Sequence, residues 1–171
     1  MTRKLAGNRR GNVVLESAML IPMIVLLIVG MAQIGKITYT YYTLRKTVYS
    51  IASYLSNQQG VNFCDPNDPA VAAAVAFGLT GTTDNSQPVF VGGLRPDMIQ
   101  VTAQRYDPVA QTLGPCSCDV TGCDAAAGGG SPNYIVVSIP NGYQIQPRIP
   151  LVPSMDPILL KPVVKVPYGG T

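Results

Sequence analysis

Two hydrophobic patterns follow one another along the first sixty positions of the chain. Residues 13–34 form a run of 22 that is almost wholly apolar. In the stretch that follows, apolar residues recur every three or four positions, which predicts an amphipathic helix with one buried stripe. The stripe consists of Ile37, Tyr41, Leu44, Val48, Ile51, Ala52 and Leu55. Only Pro22 and two glycines interrupt the helix-forming residues before the polar stretch that ends at Gly60, so we expect one long helix over residues 12–57.

A second, shorter helix is predicted just after this one. Asp68 has the side chain of an N-cap, and Pro69 suits the first helical position because its missing N–H would have no partner there. An alanine-rich segment follows, and Gly78 is the expected stop.

The rest of the chain shows the alternation and turn residues of short strands. Strands are predicted at residues 98–106, 134–139 and 159–166. Tyr143–Ile145 follows a Pro-Asn-Gly turn and is expected to pair back with the preceding strand, and Pro162 puts the last strand at a sheet edge or divides it in two. Segments 107–132 and 146–157 are rich in Pro and Gly and predict loops. The expected fold is α+β, a long N-terminal helix followed by a small antiparallel-sheet head over residues 58–171.

Charge is distributed unevenly around the apolar run. Residues 1–46 hold seven of the twelve Lys/Arg and one acid, whereas the remainder holds five Lys/Arg and eight Asp. Basic charge around an apolar segment long enough to cross a bilayer, about 20 residues, indicates a membrane partner and not nucleic acid. Four basic residues precede the run and only Lys36 follows it closely. The more positive side stays in the cytoplasm, so we expect a cytoplasmic leader or tail at residues 1–11 and an exported head.

The four cysteines all lie in the predicted exported part, at Cys64, Cys116, Cys118 and Cys123. An even number in an exported domain favours two disulfides. Their spacing differs from the usual zinc pairs, and the chain has no histidine to complete a mixed ligand set. A ring joining Cys116 directly to Cys118 would be strained. We therefore expect Cys64 to be bridged to the 116–123 loop, with its partner there left open.

Glu16 is the only glutamate in the chain, and it lies within the first turns of the apolar helix. A carboxylate there costs roughly 2.5–3.5 kcal/mol at the bilayer centre and less near its surface. In the simplest interpretation Glu16 lies among the headgroups, close to Arg9 and Arg10. In the other, Glu16 is the fifth residue after Gly11, and a cut after Gly11 would create an amino terminus at Asn12. The carboxylate of one subunit would neutralise that terminus on a neighbour and set the register between packed helices.

A basic leader, a glycine, a glutamate five residues later and a long apolar helix resemble the type IV pilin superfamily, whose leaders are removed by prepilin peptidase. The segment R-R-G-N-V-V-L-E-S-A-M-L-I-P-M-I-V-L-L-I-V-G-M-A-Q-I-G is similar to the TadE/TadG-like pseudopilins of tight-adherence pili. The matching positions are Gly11, Glu16, Pro22, Gly30 and Gly35, and the resemblance covers residues 9–50.

That resemblance implies a pilin-like structural or assembly subunit, not an enzyme and without a cofactor. It implies processing between Gly11 and Asn12, and assembly through Glu16 and Pro22. The implied partners are other pilin-like subunits, an inner-membrane assembly platform and prepilin peptidase. The implied location is the bacterial inner membrane, with the head periplasmic or on a surface filament.

Other functions fit the sequence less well. An enzyme is disfavoured because the chain has no histidine, its one glutamate lies in the apolar run, and its aspartates lie in turn sequences. A single-span membrane protein with an extracytoplasmic binding head remains the alternative. Within the pilin class, the main filament subunit and a minor pseudopilin are both open.

Two features of the helix also have two interpretations each. Pro22 lacks a backbone donor, so it either kinks the helix or is tolerated as prolines in membrane helices often are. A group of tyrosines either anchors the chain at the membrane surface and contacts its own head, or forms a contact stripe between subunits. They are Tyr39, Tyr41, Tyr42, Tyr49 and Tyr54.

Overall fold

The structure, a computed structural model, describes residues 9–65, 67–84, 86–118, 123, 129–147 and 156–170, with side chains from residue 14 onward. Two helices come first, α1 (Arg9–Ser56) and α2 (Pro69–Thr80), followed by a 3-10 turn at Pro96–Met98. The strands are β1 (Gln100–Asp107), β2 (Thr112–Pro115), β3 (Tyr134–Ser138), β4 (Tyr143–Ile145), β5 (Ile158–Leu160) and β6 (Val163–Pro167). The predicted α+β class is confirmed. Leader residues 1–8 and loop residues 148–155 lie outside the described ranges.

Helix α1 is one element of 48 residues that continues through Pro22, roughly 70 Å long at 1.5 Å per residue. Its C-terminal part forms the centre of the core. The fully buried positions there are Leu44, Val48, Ile51, Ala52 and Leu55, which confirms the predicted stripe from Leu44 onward. Tyr41 is 42% exposed, because the head covers α1 only beyond that point.

A four-stranded antiparallel sheet in the order β2-β1-β3-β6 packs against this part of α1. Along β3 the side chains alternate in burial, with Ile135 and Val137 facing the core, as expected for a sheet with one buried face. On the other face, the Lys165 ammonium lies 4.3 Å from the centre of the Tyr134 ring and donates a hydrogen bond to Gln104 at 2.7 Å.

The C-terminal segment after β6 is fastened to the end of α1. The backbone N–H of Gly169 donates to the carbonyl of Ser56 at 2.9 Å, and the Tyr168 hydroxyl donates to the carbonyl of Gln58 at 2.7 Å. The Tyr168 ring also meets Phe63 edge-to-face at 5.7 Å. These contacts satisfy carbonyls that would otherwise have no partner at the helix end.

Helix α2 begins as predicted and ends later than predicted. The Asp68 carboxylate accepts hydrogen bonds from the N–H groups of Ala70 and Val71, at 2.8 and 3.3 Å. The expected stop at Gly78 is wrong, because the helix continues to Thr80 and is capped by Gly81 with φ 83°. Gly78 instead lies where α2 crosses α1, and a Cβ there would overlap the Ile51 side chain.

Three of the strand predictions need correction. β4 pairs with β5 and not with β3, and the Tyr143 hydroxyl holds it by donating to the carbonyl of Gly92 at 2.6 Å. β2 lies in a segment predicted to be loop and pairs with the end of β1. β1 starts at Gln100, because Pro96–Met98 forms a 3-10 turn. Pro162 divides the predicted last strand into β5 and β6, as one of the two expectations had it, and β6 lies at a sheet edge.

Two disulfides hold the loop between β2 and β3, as expected. Cys64, between the two helices, is joined to Cys118, with their Cα atoms 5.5 Å apart. Cys116 is joined to Cys123, with a Cα separation of 5.6 Å. The first bridge connects positions 54 residues apart, and so it ties the helical side of the head to the sheet side.

Candidate functional site

The N-terminal half of α1 has no covering from the rest of the described chain. Its large apolar side chains are exposed at every angle around the helix, from Val14 at 69% to Met31 at 70%. By length and composition this helix can cross a membrane. We call residues 14–34 the apolar half of α1. Its side chains need lipid or other protein around them, because the described part of the head does not cover them.

Glu16 lies near the start of the apolar half, with its side chain exposed. The ion pair present in the described part of the chain joins Arg95 to Asp97, and no described basic side chain lies within 4 Å of Glu16. The side chains of Arg9 and Arg10 are outside the described set. Within one copy, then, no described basic side chain balances the charge of Glu16.

The candidate processing site lies inside regular helix. Gly11 and Asn12 are in the first turn and a half of α1, which begins at Arg9. Pro22, the other implied assembly residue, is also inside α1. Since the helix includes the bond between Gly11 and Asn12, a peptidase that cuts there would act on a segment opened from the helical form.

The five tyrosines divide into two groups. Tyr54 is partly buried and packs against Phe77 of α2, with ring centres 5.4 Å apart. The other four are exposed. Three of them come before the buried stripe of α1, with exposures of 72% for Tyr39 and 69% for Tyr42, whereas Tyr49, at 56%, lies beside that stripe. One tyrosine therefore contacts the protein's own head, as the first interpretation has it. The side chains of the other four are exposed in a single copy of the chain.

Two of these exposed tyrosines line a groove between α1 and α2. It has a volume of about 500 Å³. Its walls include Tyr39, Tyr42 and Lys46 from α1, Phe77 from α2, and Phe90 from the loop that follows α2. A second groove of about 330 Å³ adjoins it and shares Ser50 and Phe77 with it; it extends along α1 to Gln58. We call the two together the α1–α2 groove.

The walls of the groove combine aromatic rings with positive charge. Phe90 is 61% exposed, and the Lys46 side chain, also exposed, reaches the groove from α1. No acidic residue occurs in the sequence between Glu16 and Asp65. The groove is therefore suited to an apolar surface that carries a negative charge.

Sequence reasoning singled out the tyrosines of this groove, in one of two interpretations, and missed Lys46 and the α2 side. The tyrosines stand out from their place after the apolar run. Phe77 and Phe90 give no such signal, because they come to lie beside α1 only when the chain folds and Gly78 packs on Ile51 and Phe77 on Tyr54. The described residues hold no group of three or more His, Cys, Asp or Glu that would bind a metal ion.

The chain matches no protein-family model, and no curated protein and no solved structure is significantly similar to it.

Proposed function

We propose that this chain is a pilin-like structural subunit of the TadE/TadG-like kind, anchored in the bacterial inner membrane by the apolar half of α1. It assembles with other pilin-like subunits by helix packing, and Glu16 pairs with a positive group on a neighbour. Its sites are therefore surfaces for assembly and not for catalysis. An assembly platform in the membrane and prepilin peptidase are its further partners.

One observation carries this proposal, namely that a single helix joins an uncovered apolar half to a half built into the head. Ile24 is 52% exposed whereas Ile51 is fully buried. A plain anchor needs no rigid continuation into the domain that it holds. A filament subunit does, because the position of the head must follow from how the helices pack.

The carboxylate of Glu16 adds to this argument. In the apolar half a charge is costly unless it is paired, and the described part of the chain gives Glu16 no basic partner. A partner on a neighbouring subunit removes that cost only when the two helices are in the correct register. Glu16 thus selects one arrangement among the many that apolar packing alone would allow.

Replacing Glu16 tests the proposal directly. Glu16→Ala leaves the positive partner unpaired, and breaking half of a buried pair costs roughly 3–5 kcal/mol. Insertion should be unaffected or easier, since a charge is removed from an apolar helix. We expect normal membrane abundance, intact disulfides and loss of assembled, co-purifying material.

Asp84→Ala is the matched control, because it also removes one carboxylate. Hydrogen bonds from the side chain and backbone of Ser86 lower the pKa of Asp84, so this carboxylate is ionised at neutral pH. It should assemble like the parent chain. If Glu16→Ala assembles equally well, the pilin-like mechanism fails, and a single-span membrane protein with a binding head becomes the better description.

The direction of insertion has its own test. In spheroplasts, a thiol reagent that cannot cross membranes should label the head cysteines after mild reduction. Labelling that requires lysis would place the head in the cytoplasm and contradict the proposed topology.

A further inference from the structure

The α1–α2 groove runs along α1 from Tyr39 to Gln58. At 1.5 Å per residue this is about 28 Å. The apolar half of α1, residues 14–34, has a length of about 30 Å by the same measure. The chain thus carries an uncovered apolar rod and an uncovered aromatic groove of nearly equal length on the same helix.

The charges of the two surfaces are complementary. The apolar half contains one charged residue, Glu16. The groove contains Lys46, and the described part of the chain places no carboxylate within 4 Å of it. Opposite charges that lie apart on one copy can meet when one copy is displaced along the helix axis relative to another.

We propose that the α1–α2 groove is the docking site for the apolar half of α1 from a second copy of this chain, with Glu16 of the incoming copy paired to Lys46. This inference rests on the proposed function, and it names the partner surface and the countercharge. The two helices run parallel, because all copies enter the membrane in the same direction. An amino terminus at Asn12 exists only after the leader is removed. Lys46 is present in either form of the chain.

The displacement follows from helix geometry. Side chains on a helix lean toward its N-terminus, so the Lys46 ammonium lies about one turn below its own Cα, at the level of Tyr42. The shorter Glu16 side chain leans the same way by about half as much, so matching the two charged groups shifts the incoming copy by roughly 26–28 residues, or about 40 Å. Ile24 of the incoming helix then lies at about the level of Ser50. A shift of this size lifts the apolar half out of the bilayer, so the contact belongs to the assembled filament.

Charge reversal tests the pairing. Glu16→Lys and Lys46→Glu alone should each reduce assembled material by more than about tenfold, since each puts like charges together in an apolar setting. The double variant should recover assembly to near the parent level. Lys161→Glu, an exposed lysine outside the groove, is the matched control for Lys46→Glu and should assemble normally.

A cysteine pair tests the register. Copies carrying Ile24→Cys are mixed with copies carrying Ser50→Cys, and the sheared filament fraction is examined for a reducible dimer. Replacing Ser50→Cys by Val109→Cys, at a position that is 92% exposed and outside the groove, should give none. Phe90→Ser should weaken assembly without changing membrane abundance, because its ring is exposed and supports the groove wall.

The outcomes separate this inference from the function on which it rests. Rescue by the double charge reversal together with the specific dimer supports the docking site. If assembly requires Glu16 but the double variant is not rescued and no dimer forms, the docking site is wrong and the countercharge lies elsewhere, for example at the amino terminus. If Glu16→Ala assembles like the parent, both proposals fall.

Discussion

The two halves of α1 are rich in the same aliphatic residues and lie in opposite surroundings. In the apolar half Ile24 is 52% exposed and Leu27 is 63% exposed. We call residues 35–56 the distal half of α1, and there Ile51 and Leu55 have no exposed surface. The helix is continuous between them. The difference in exposure between these isoleucine and leucine side chains is therefore one of what lies around the helix, since the side chains and the secondary structure are the same.

What separates the halves is how apolar residues are arranged around the axis. The distal half has one apolar stripe with polar residues opposite, and a head of this size can cover one stripe. The apolar half is hydrophobic around its whole circumference. A helix of that kind is stable only inside a membrane or inside a protein core, and the described part of the head does not supply that core.

Breaking the disulfide between Cys64 and Cys118 should have the largest effect on the head. It closes a loop with a sequence separation of 54, and in the chain-entropy account this constrains the unfolded state by about 4 kcal/mol. The bridge from Cys116 to Cys123, with a separation of 7, is worth about 2.5 kcal/mol by the same account. Denaturant unfolding of the detergent-solubilised chain should show this order for the paired Cys→Ser variants. Equal losses would contradict it.

Truncating one isoleucine in each half compares the two environments directly. Ile51→Ala should reduce the free energy of unfolding of the head by roughly 3 kcal/mol, because it leaves a cavity in a closed core. Ile24→Ala should leave that free energy within about 0.5 kcal/mol of the parent value, since Ile24 touches no part of the head. Chemical denaturation of both variants beside the parent measures the difference. A comparable loss in Ile24→Ala would show that the head depends on the apolar half.

The sequence was sufficient to predict elements whose signals are local. The stripe from Leu44 to Leu55 follows from helical periodicity, and the start of α2 follows from Asp68 and Pro69, because an N-cap acts within one turn. The division at Pro162 likewise follows from a missing backbone donor. The need for Cys64 to reach the 116–123 loop came from ring strain, which is again a local argument.

The errors have a common cause, since each depends on contacts between distant segments. Gly78 is a good helix stop by local chemistry, but it is buried against Ile51, and that packing decides its role. β4 has three residues, too few to specify a partner by pattern, and its pairing with β5 depends on where the intervening loop returns. The groove wall at Phe90 could not be predicted because it requires the position of α2 on α1.

Adding one methyl group to a glycine that packs on the distal half of α1, or to a glycine within the apolar half, makes the same comparison with a smaller change. Gly78→Ala places a Cβ onto the Ile51 side chain and 3.1 Å from the carbonyl of Thr47, and such overpacking costs roughly 2 kcal/mol. Gly30→Ala meets nothing within 4 Å and should be neutral or slightly favourable, since alanine is the better helix former. Unfolding measurements on both variants test this.

A double variant verifies the cause of the Gly78 effect. Ile51→Val removes one of the atoms that the new Cβ meets, so Gly78→Ala should cost less in that background than in the parent. Additive losses would mean that Gly78 matters for some reason other than its contact with Ile51.

The smallest effect concerns the fastening of the C-terminal segment to the end of α1. Tyr168→Phe keeps the ring against Phe63 and removes the hydrogen bond to the carbonyl of Gln58, which should cost roughly 1 kcal/mol. Tyr39→Phe, at a tyrosine that is 72% exposed, is the control and should cost nothing measurable. Thermal or denaturant unfolding near pH 7 gives the first comparison.

The pH dependence then shows whether the hydroxyl itself is responsible. Burial raises the pKa of Tyr168 above its ordinary value, so the folded state favours the neutral phenol, which is also the form that donates to Gln58. Its contribution to stability is complete below the pKa of the unfolded chain, about 10, and is lost as the pH rises through the higher folded pKa. The stability difference between the parent and Tyr168→Phe should therefore be constant from neutral pH to about pH 9 and shrink above pH 10. A difference that persists unchanged above pH 10 would contradict this account. No difference at any pH would mean that the C-terminal segment is fastened to the end of α1 by the ring packed against Phe63, which both chains keep.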